Sequence, residues 1–184
     1  MDYLEKWASR SGINLGLRRI TPPDAQKLRA FVAELSPTSR YQRFHCDRRT
    51  LSQTDASYLA DVDFRMHHAF IVCAFYGGRE VLVAEARCAA LSVNRQCAEY
   101  AIAVADPWQR QGIGRRCLER LIDAASQSGY QQLTGDVLPS NHAMLTLARK
   151  LGFECTSTGR QVAVTRISLG NDALAAVPVP QIPD

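Results

Sequence analysis

Residues 98–122, AEYAIAVADPWQRQGIGRRCLERLI, constrain this chain more than any other stretch. They read as a strand, a short loop holding Gln109-Arg110-Gln111-Gly112-Ile113-Gly114, and an amphipathic helix whose apolar face carries Ile113, Cys117, Leu121, Ile122 and Ala125. A helix N-terminus leaves backbone N–H groups unpaired and carries a partial positive charge, so it receives anions. Gly112 and Gly114 lack the β-carbon that would hold a ligand off the backbone, and Arg110, Arg115 and Arg116 add positive charge. The pattern points to a phosphate or diphosphate. A Walker loop needs Lys-Ser/Thr after its last glycine, where Arg115-Arg116 stand. A dinucleotide fingerprint places Gly-x-Gly-x-x-Gly directly after its strand. Here residues 106–111 intervene and Cys117 takes the third glycine position, although Asp136 ends the next strand at a suitable distance.

The elements around this segment predict one domain with a mixed sheet and helices on its faces. Residues 15–20 alternate as a strand; Thr21-Pro22-Pro23-Asp24 opens a helix carrying Leu28, Phe31, Val32 and Leu35, and Ser36-Pro37 ends it. Residues 39–45 and 54–60 read as short helices. A nearly unbroken apolar strand over 69–76 turns at Gly77-Gly78 and returns over 81–90. Strands over 99–105, 131–137, 153–157 and 162–167 complete the sheet. A long helix over 112–128 is capped by Gly129, and a second, N-capped by Ser140, reaches Leu151. Residues 1–13 form an N-terminal extension with a short helix near 3–8, residues 14–169 the domain, and residues 170–184 a Pro-rich flexible tail.

With those elements placed, the third phosphate design fits without repair. Gln109-x-x-Gly112-x-Gly114 between its strand and helix resembles the acyl-CoA loop of the GNAT superfamily of N-acetyltransferases. Residues 139–144, PSNHAM, with Leu147 and Lys150-Leu151-Gly152-Phe153, resemble that family's second signature. Arg18-Arg19-Ile20, the run LSPTSRYQRF at 35–44 and Asp61-Val62-Asp63 resemble the GNAT domain of bacterial Pat-type protein-lysine acetyltransferases. The resemblance implies a mixed, mostly antiparallel sheet in which two parallel strands splay. Acetyl-CoA would be the acyl-donor co-substrate, its pantetheine bonded to the strand backbone at Ala103 and Val104. Its diphosphate would lie on Gln109, Arg110, Gln111, Gly112, Gly114 and Arg115. Asn141 matches a position that bonds the pantetheine or an intermediate; by its place at a helix start it reads equally as a cap for its own backbone.

Direct transfer from a thioester needs a neutral amine. A lysine amine has a pKa near ~10.4, so roughly one in a thousand is free at neutral pH, and a base within hydrogen-bond reach recovers part of that factor. Glu99 shares a strand face with the small side chains Ala101 and Ala103, while Tyr100, Ile102 and Val104 take the other face. Family members with glutamate at this strand position use it as the general base, which makes Glu99 the catalytic candidate. Many place a tyrosine acid where this chain has Ala148; Tyr130 and Tyr41 are stand-ins that also read as packing residues.

Composition narrows the partners. The 184 residues include 22 Lys and Arg against 18 Asp and Glu, a net charge of +4, and only Lys6, Lys27 and Lys150 are lysines. Arg40, Arg43, Arg48 and Arg49 read either as the rim of an acceptor cleft or as a solvated helix face. Aromatic residues do not interleave with the basic run, so no nucleic acid is expected. No apolar stretch approaches the ~18 residues of a membrane span, and the first ten residues have no signal-peptide core. Cys46, Cys73, Cys88, Cys97, Cys117 and Cys155 form no Cys-x-x-Cys pair, and the adjacent His67 and His68 point to opposite strand faces; these readings predict reduced thiols, a cytoplasmic location and no metal. The expected activity is acetyl transfer to an amine, a protein lysine first and a small-molecule amine second, by a monomer or homodimer; a non-catalytic acyl-CoA-binding module is the remaining alternative.

Overall fold

The computed structural model describes residues 2–91, 96–157 and 163–168, the last group as backbone. The residues after Ser168, including the Pro-rich tail expected over 170–184, lie outside the described residues. The extension expected to hold a helix instead forms strand β1 (Glu5–Ala8), paired antiparallel with β2 (Asn14–Arg19) from Glu5↔Leu17 to Ala8↔Asn14. An isolated helix of one or two turns is unstable in water, whereas the open edge of β2 offers backbone partners to every residue. Gly16 makes the pairing fit, because a β-carbon there would stand 2.4 Å from the Tyr3 ring.

A 3-10 turn at Pro22–Asp24 leads into α1 (Ala25–Glu34), then α2 (Pro37–Phe44) and α3 (Gln53–Ala60). Strands β3 (His67–Tyr76) and β4 (Arg79–Ala90) form the expected hairpin; Gly77 and Gly78 take φ of 57° and 70°, the left-handed pair a two-residue turn requires. The chain continues through β5 (Cys97–Val104), α4 (Ile113–Gln127), β6 (Gln132–Val137), α5 (His142–Lys150), β7 (Glu154–Ser157) and β8 (Ala163–Ser168). Among the described residues the sheet has eight strands in the order β1-β2-β3-β4-β5-β6-β8-β7. Every pairing is antiparallel except β5 with β6.

Two cores flank the sheet. On one side Phe70, Val72 and Tyr100 pack with Ile113, Cys117, Leu118 and Leu121 of α4; on the other Ile71, Leu82 and Ala103 pack with Leu28, Phe31 and Val32 of α1 and with Leu51. Arg18, part of the Pat-type resemblance, is a structural anchor: it is 2% exposed, and its guanidinium donates to both Asp24 oxygens at 2.6 and 2.7 Å and to Glu80 at 2.9 Å. These bonds fasten β2 and the start of α1 to β4.

The Tyr100 ring lies across Gly135 of β6 and meets Phe153 edge-on at 5.4 Å. A β-carbon at Gly135 would fall 2.6 Å from that ring. Gly135→Ala should therefore lower stability by about 1–3 kcal/mol through overpacking, read as a reduced urea midpoint with an unchanged slope.

Candidate active site

The parallel strands β5 and β6 pair only at Cys97↔Gln132, Ala98↔Leu133 and Glu99↔Thr134, and then part. Ala105 donates its N–H to Val83 O at 2.9 Å. Backbone groups of successive residues face alternate edges of a strand, so Ala103 faces β4 while Ile102 and Val104 present theirs to the gap. The register thus corrects the expectation for Ala103. Its side chain lines the face toward α1, but the backbone groups offered to the gap belong to Ile102 and Val104. The Val104 carbonyl accepts from Gln109 Nε2 at 3.0 Å.

The loop leaving β5 has the conformation of an anion cradle. Arg110 and Gly112 take φ of 58° and 84°, and Gly112 is the N-cap of α4. Left-handed residues at a helix entrance turn successive N–H groups to one side. Among the described residues no backbone or side-chain acceptor meets the N–H groups from Arg110 to Arg115. Gln111 Nε2 donates to Pro107 O at 3.1 Å and folds the loop back on itself. The two glycines act differently. Gly112 supplies a positive φ, and a β-carbon there would meet nothing within 4 Å. A β-carbon at Gly114 would instead touch Leu147, Val104 and Ile102 at 3.6–3.9 Å, inside the wedge between β5 and α5. Arg115 remains at the loop, bonded to Glu119 at 2.8 Å through Nε. Arg116, expected beside it, turns away: it pairs with Glu5 at 3.0 Å and stacks on Trp7, pinning β1 to α4. Asn141, rather than Ser140, caps α5, its Oδ1 accepting from Met144 N at 3.1 Å.

Glu99 stands at the last paired position before the strands part, exposed and opposite Ala89 of β4. Its face of the sheet continues through Ala101 and Ala103, as the alternation predicts. Beside this row lies a buried charged cluster not anticipated from the sequence. Glu85 and Arg87 are 2% and 7% exposed, opposite Ala103 and Ala101 respectively. Arg87 donates to Glu85, to Leu59 O at 3.2 Å and to His67 Nε2 at 3.2 Å, and Arg43 of α2 reaches Glu85 at 3.3 Å. Burial pushes the Glu85 carboxyl upward, but Arg87 and Arg43 outweigh it and hold Glu85 below the usual carboxylate range. The signal was present as Glu85-x-Arg87, two charges on one face of an otherwise apolar strand.

Three of the four arginines read as a cleft rim are also bonded within the fold. Arg40 donates to Leu35 O and to Ala33 O at the end of α1, Arg43 pairs with Glu85, and Arg48 pairs with Asp55 at 3.1 Å. Tyr130 is 1% exposed and donates to Met66 O at 3.1 Å, a packing role, while Tyr41 is half exposed beside an open groove of about 450 Å³. That groove runs between α2 and the turn joining β6 to α5, lined by Tyr41, Gln42, Leu138 and Ser140 and by Arg40 and Arg48, two of the arginines read as a cleft rim. The Cys117 thiol is fully buried and burial pushes it up to about 12, which removes it as a nucleophile. His67 and His68 do diverge: His67 joins Arg87, and His68 reaches Ser128 Oγ at 2.9 Å on the other face.

Because Arg87 can only donate, His67 Nε2 accepts and the ring is neutral. Burial first, and the Arg87 charge second, lower its pKa to about 4. The unfolded chain, with His near ~6.5, then binds the extra proton between these values, so stability falls as pH drops through that window. Stability measured between pH 6.5 and 4.5 should slope by up to about 1.4 kcal/mol per pH unit, and His67→Gln should flatten the slope.

The family described as acetyltransferase (GNAT) matches residues 28–153. An acetyltransferase of Pseudomonas aeruginosa is 30% identical over 142 residues, 77% of this chain and 76% of that protein. The acetyltransferase Pat of Mycolicibacterium smegmatis is 28% identical over 160 residues, 87% of this chain; the match spans 47% of that longer protein. Among solved structures, the GNAT domain of S. lividans PAT superposes with a TM-score of 0.78 at 25% identity, covering 90% of this chain and 96% of that one.

Proposed function

Because the chain belongs to the acetyltransferase (GNAT) family, we propose that it moves the acetyl group of acetyl-CoA directly to a lysine side chain of a protein, with Glu99 as the general base. The single observation that carries this reading is the juxtaposition at one point of β5. The strand ends its parallel pairing at Glu99, opens a gap lined by the Ile102 and Val104 backbone, and runs into a loop whose amides meet no acceptor among the described residues.

In this reading the N–H groups from Arg110 to Arg115, with the Arg110 and Arg115 side chains, hold the donor's diphosphate. Ile102 and Val104 bond the pantetheine amides, and Gln109 Nε2 gives up the Val104 carbonyl to them. Gly114 lets the start of α4 lie close to the Ile102, Val104 and Leu147 side chains, which sets the loop against the end of β5. Glu99 takes the proton from the incoming ammonium, directly or through one water, so that a neutral amine meets the thioester carbon. The tetrahedral adduct then breaks its C–S bond, and the extra nitrogen proton passes to the departing thiolate or to solvent without a dedicated acid. Ala148, 0% exposed, stands where the resemblance implies a tyrosine acid.

The acceptor side supports a protein substrate over a metabolite. The groove beside α2 is open to solvent rather than closed over a small pocket, and the 35–44 segment that resembles Pat-type enzymes forms its wall. The six free cysteines suit a reducing compartment, the cytoplasm.

Calorimetry with coenzyme A should give a binding heat, and labelled acetyl-CoA should label lysine-containing protein more readily than a panel of small amines. Glu99→Gln should lower kcat about 100-fold or more at neutral pH, recover partly at alkaline pH, and leave acetyl-CoA affinity nearly unchanged. An unaltered pH–rate profile in this variant would remove Glu99 from the mechanism.

A further inference from the structure

The groove between α2 and the turn before α5 carries two guanidiniums held in the same way. Arg40 donates through Nη1 alone, to Leu35 O and to Ala33 O at 3.3 Å. Arg48 donates through Nη1 alone, to Asp55 at 3.1 Å, and lies over the Phe44 ring, 5.5 Å from its centroid. Among the described residues no acceptor meets Nε or Nη2 of either side chain. Those two groups form the edge of a guanidinium that grips both oxygens of a carboxylate. Each arginine is thus fastened by one nitrogen and leaves its two-pronged edge free. The acceptors of Arg40 are carbonyls, which do not cancel its charge. Asp47, the one acid in the lining, is exposed and bonds to neither arginine, and Arg49 adds a further exposed positive charge.

The sheet beside this wall has the opposite sign. Glu99 pairs with Thr134, and Leu133, Gly135 and Val137 are buried on the α4 side, so by alternation Asp136, exposed, shares the Glu99 face. Carboxylates therefore stand on both of the parting strands. The wall is fixed against them: Asp106, just after β5, caps α2 by accepting from Ser36 N at 3.0 Å, Ser36 Oγ at 2.7 Å and Ser39 Oγ at 2.8 Å. Gln109 Nε2 ties Ser39 Oγ to the Val104 carbonyl at 3.2 and 3.0 Å. We propose that the groove selects an acceptor lysine with an acidic residue close by in the same chain, the carboxylate taken by the free edges of Arg40 and Arg48 while the ammonium turns to Glu99 and Asp136. This rests on the protein-lysine reading above and names its substrate class. An acceptor with a positive charge beside its lysine would meet the arginines unfavourably, so the groove discriminates in both directions.

The test uses the full chain, labelled acetyl-CoA and peptides that place glutamate or glutamine at successive positions on either side of a single lysine, with free lysine as a further acceptor. At the preferred position, kcat/KM for the glutamate peptide should exceed that for its glutamine twin by about fivefold. The ratio should fall in Arg40→Gln and in Arg48→Gln and approach one in the double variant. Because both peptides are compared on one preparation, a loss of folded enzyme cancels from the ratio. A merely structural role for the arginines would lower both rates and leave the ratio as in the wild type, which overturns the proposal. Equal labelling of every glutamate and glutamine pair by the wild type also overturns it, while leaving the protein-lysine reading intact. A kcat/KM for free lysine above that of every peptide, or no labelled peptide despite a binding heat with coenzyme A, overturns that reading and the selectivity together.

Discussion

The parting of β5 from β6 after three residue pairs is the constraint on which the rest of this structure depends. Strand backbones carry N–H and C=O groups that demand partners, and a sheet ordinarily supplies them on both sides. Here β4 holds one edge of β5 along its length and β8 holds one edge of β6, so neither strand can swing back to close the gap. The groups exposed by the separation are left to Gln109 and to whatever enters from solvent. The gap sets the position of what is built around it, including Glu99 at its apex.

Buried charge makes the acceptor side equally definite. Arg18 with Asp24 and Glu80, and Arg87 with Glu85, Arg43 and His67, sit where α1–α3 meet the sheet. Taking such groups from water is costly, and only close mutual bonding offsets it; removing one partner typically costs about 3–5 kcal/mol. Apolar contacts would let a helix slide by small steps, but a guanidinium bonded to a buried carboxylate does not slide. The charged cluster therefore fixes where α2 and α3 lie over the Glu99 row. It also explains why the arginine-rich helix contributes less free positive charge to the surface than its composition suggests.

Much of this organisation was legible in the chain. The alternation around Glu99, the glycine pair of the hairpin, the periodic face of α4 and the amide-lined loop depend on residues close together in sequence, and each formed as the local pattern required. The misreadings share a cause. Residues 5–8 became a strand because β2 offered an open edge, Ala103 turned its backbone to β4 because of register, and Arg43 and Arg116 found partners on other elements. Glu85 and Arg87 passed unnoticed because a charged pair inside an apolar strand has meaning only once the helices covering it are known.

The sequence by itself determined the periodicities, the glycine turn of the hairpin and the unpaired N–H groups expected at a helix entrance, since these follow from steric and hydrogen-bonding limits over a few residues. Only the tertiary structure decided where two strands separate, which backbone edge faces the gap, and that an aspartate after β5 would cap a helix near the start of the domain. Those outcomes are set by contacts between residues tens of positions apart, whose distances no local rule specifies and which become fixed only when the two cores close around the sheet.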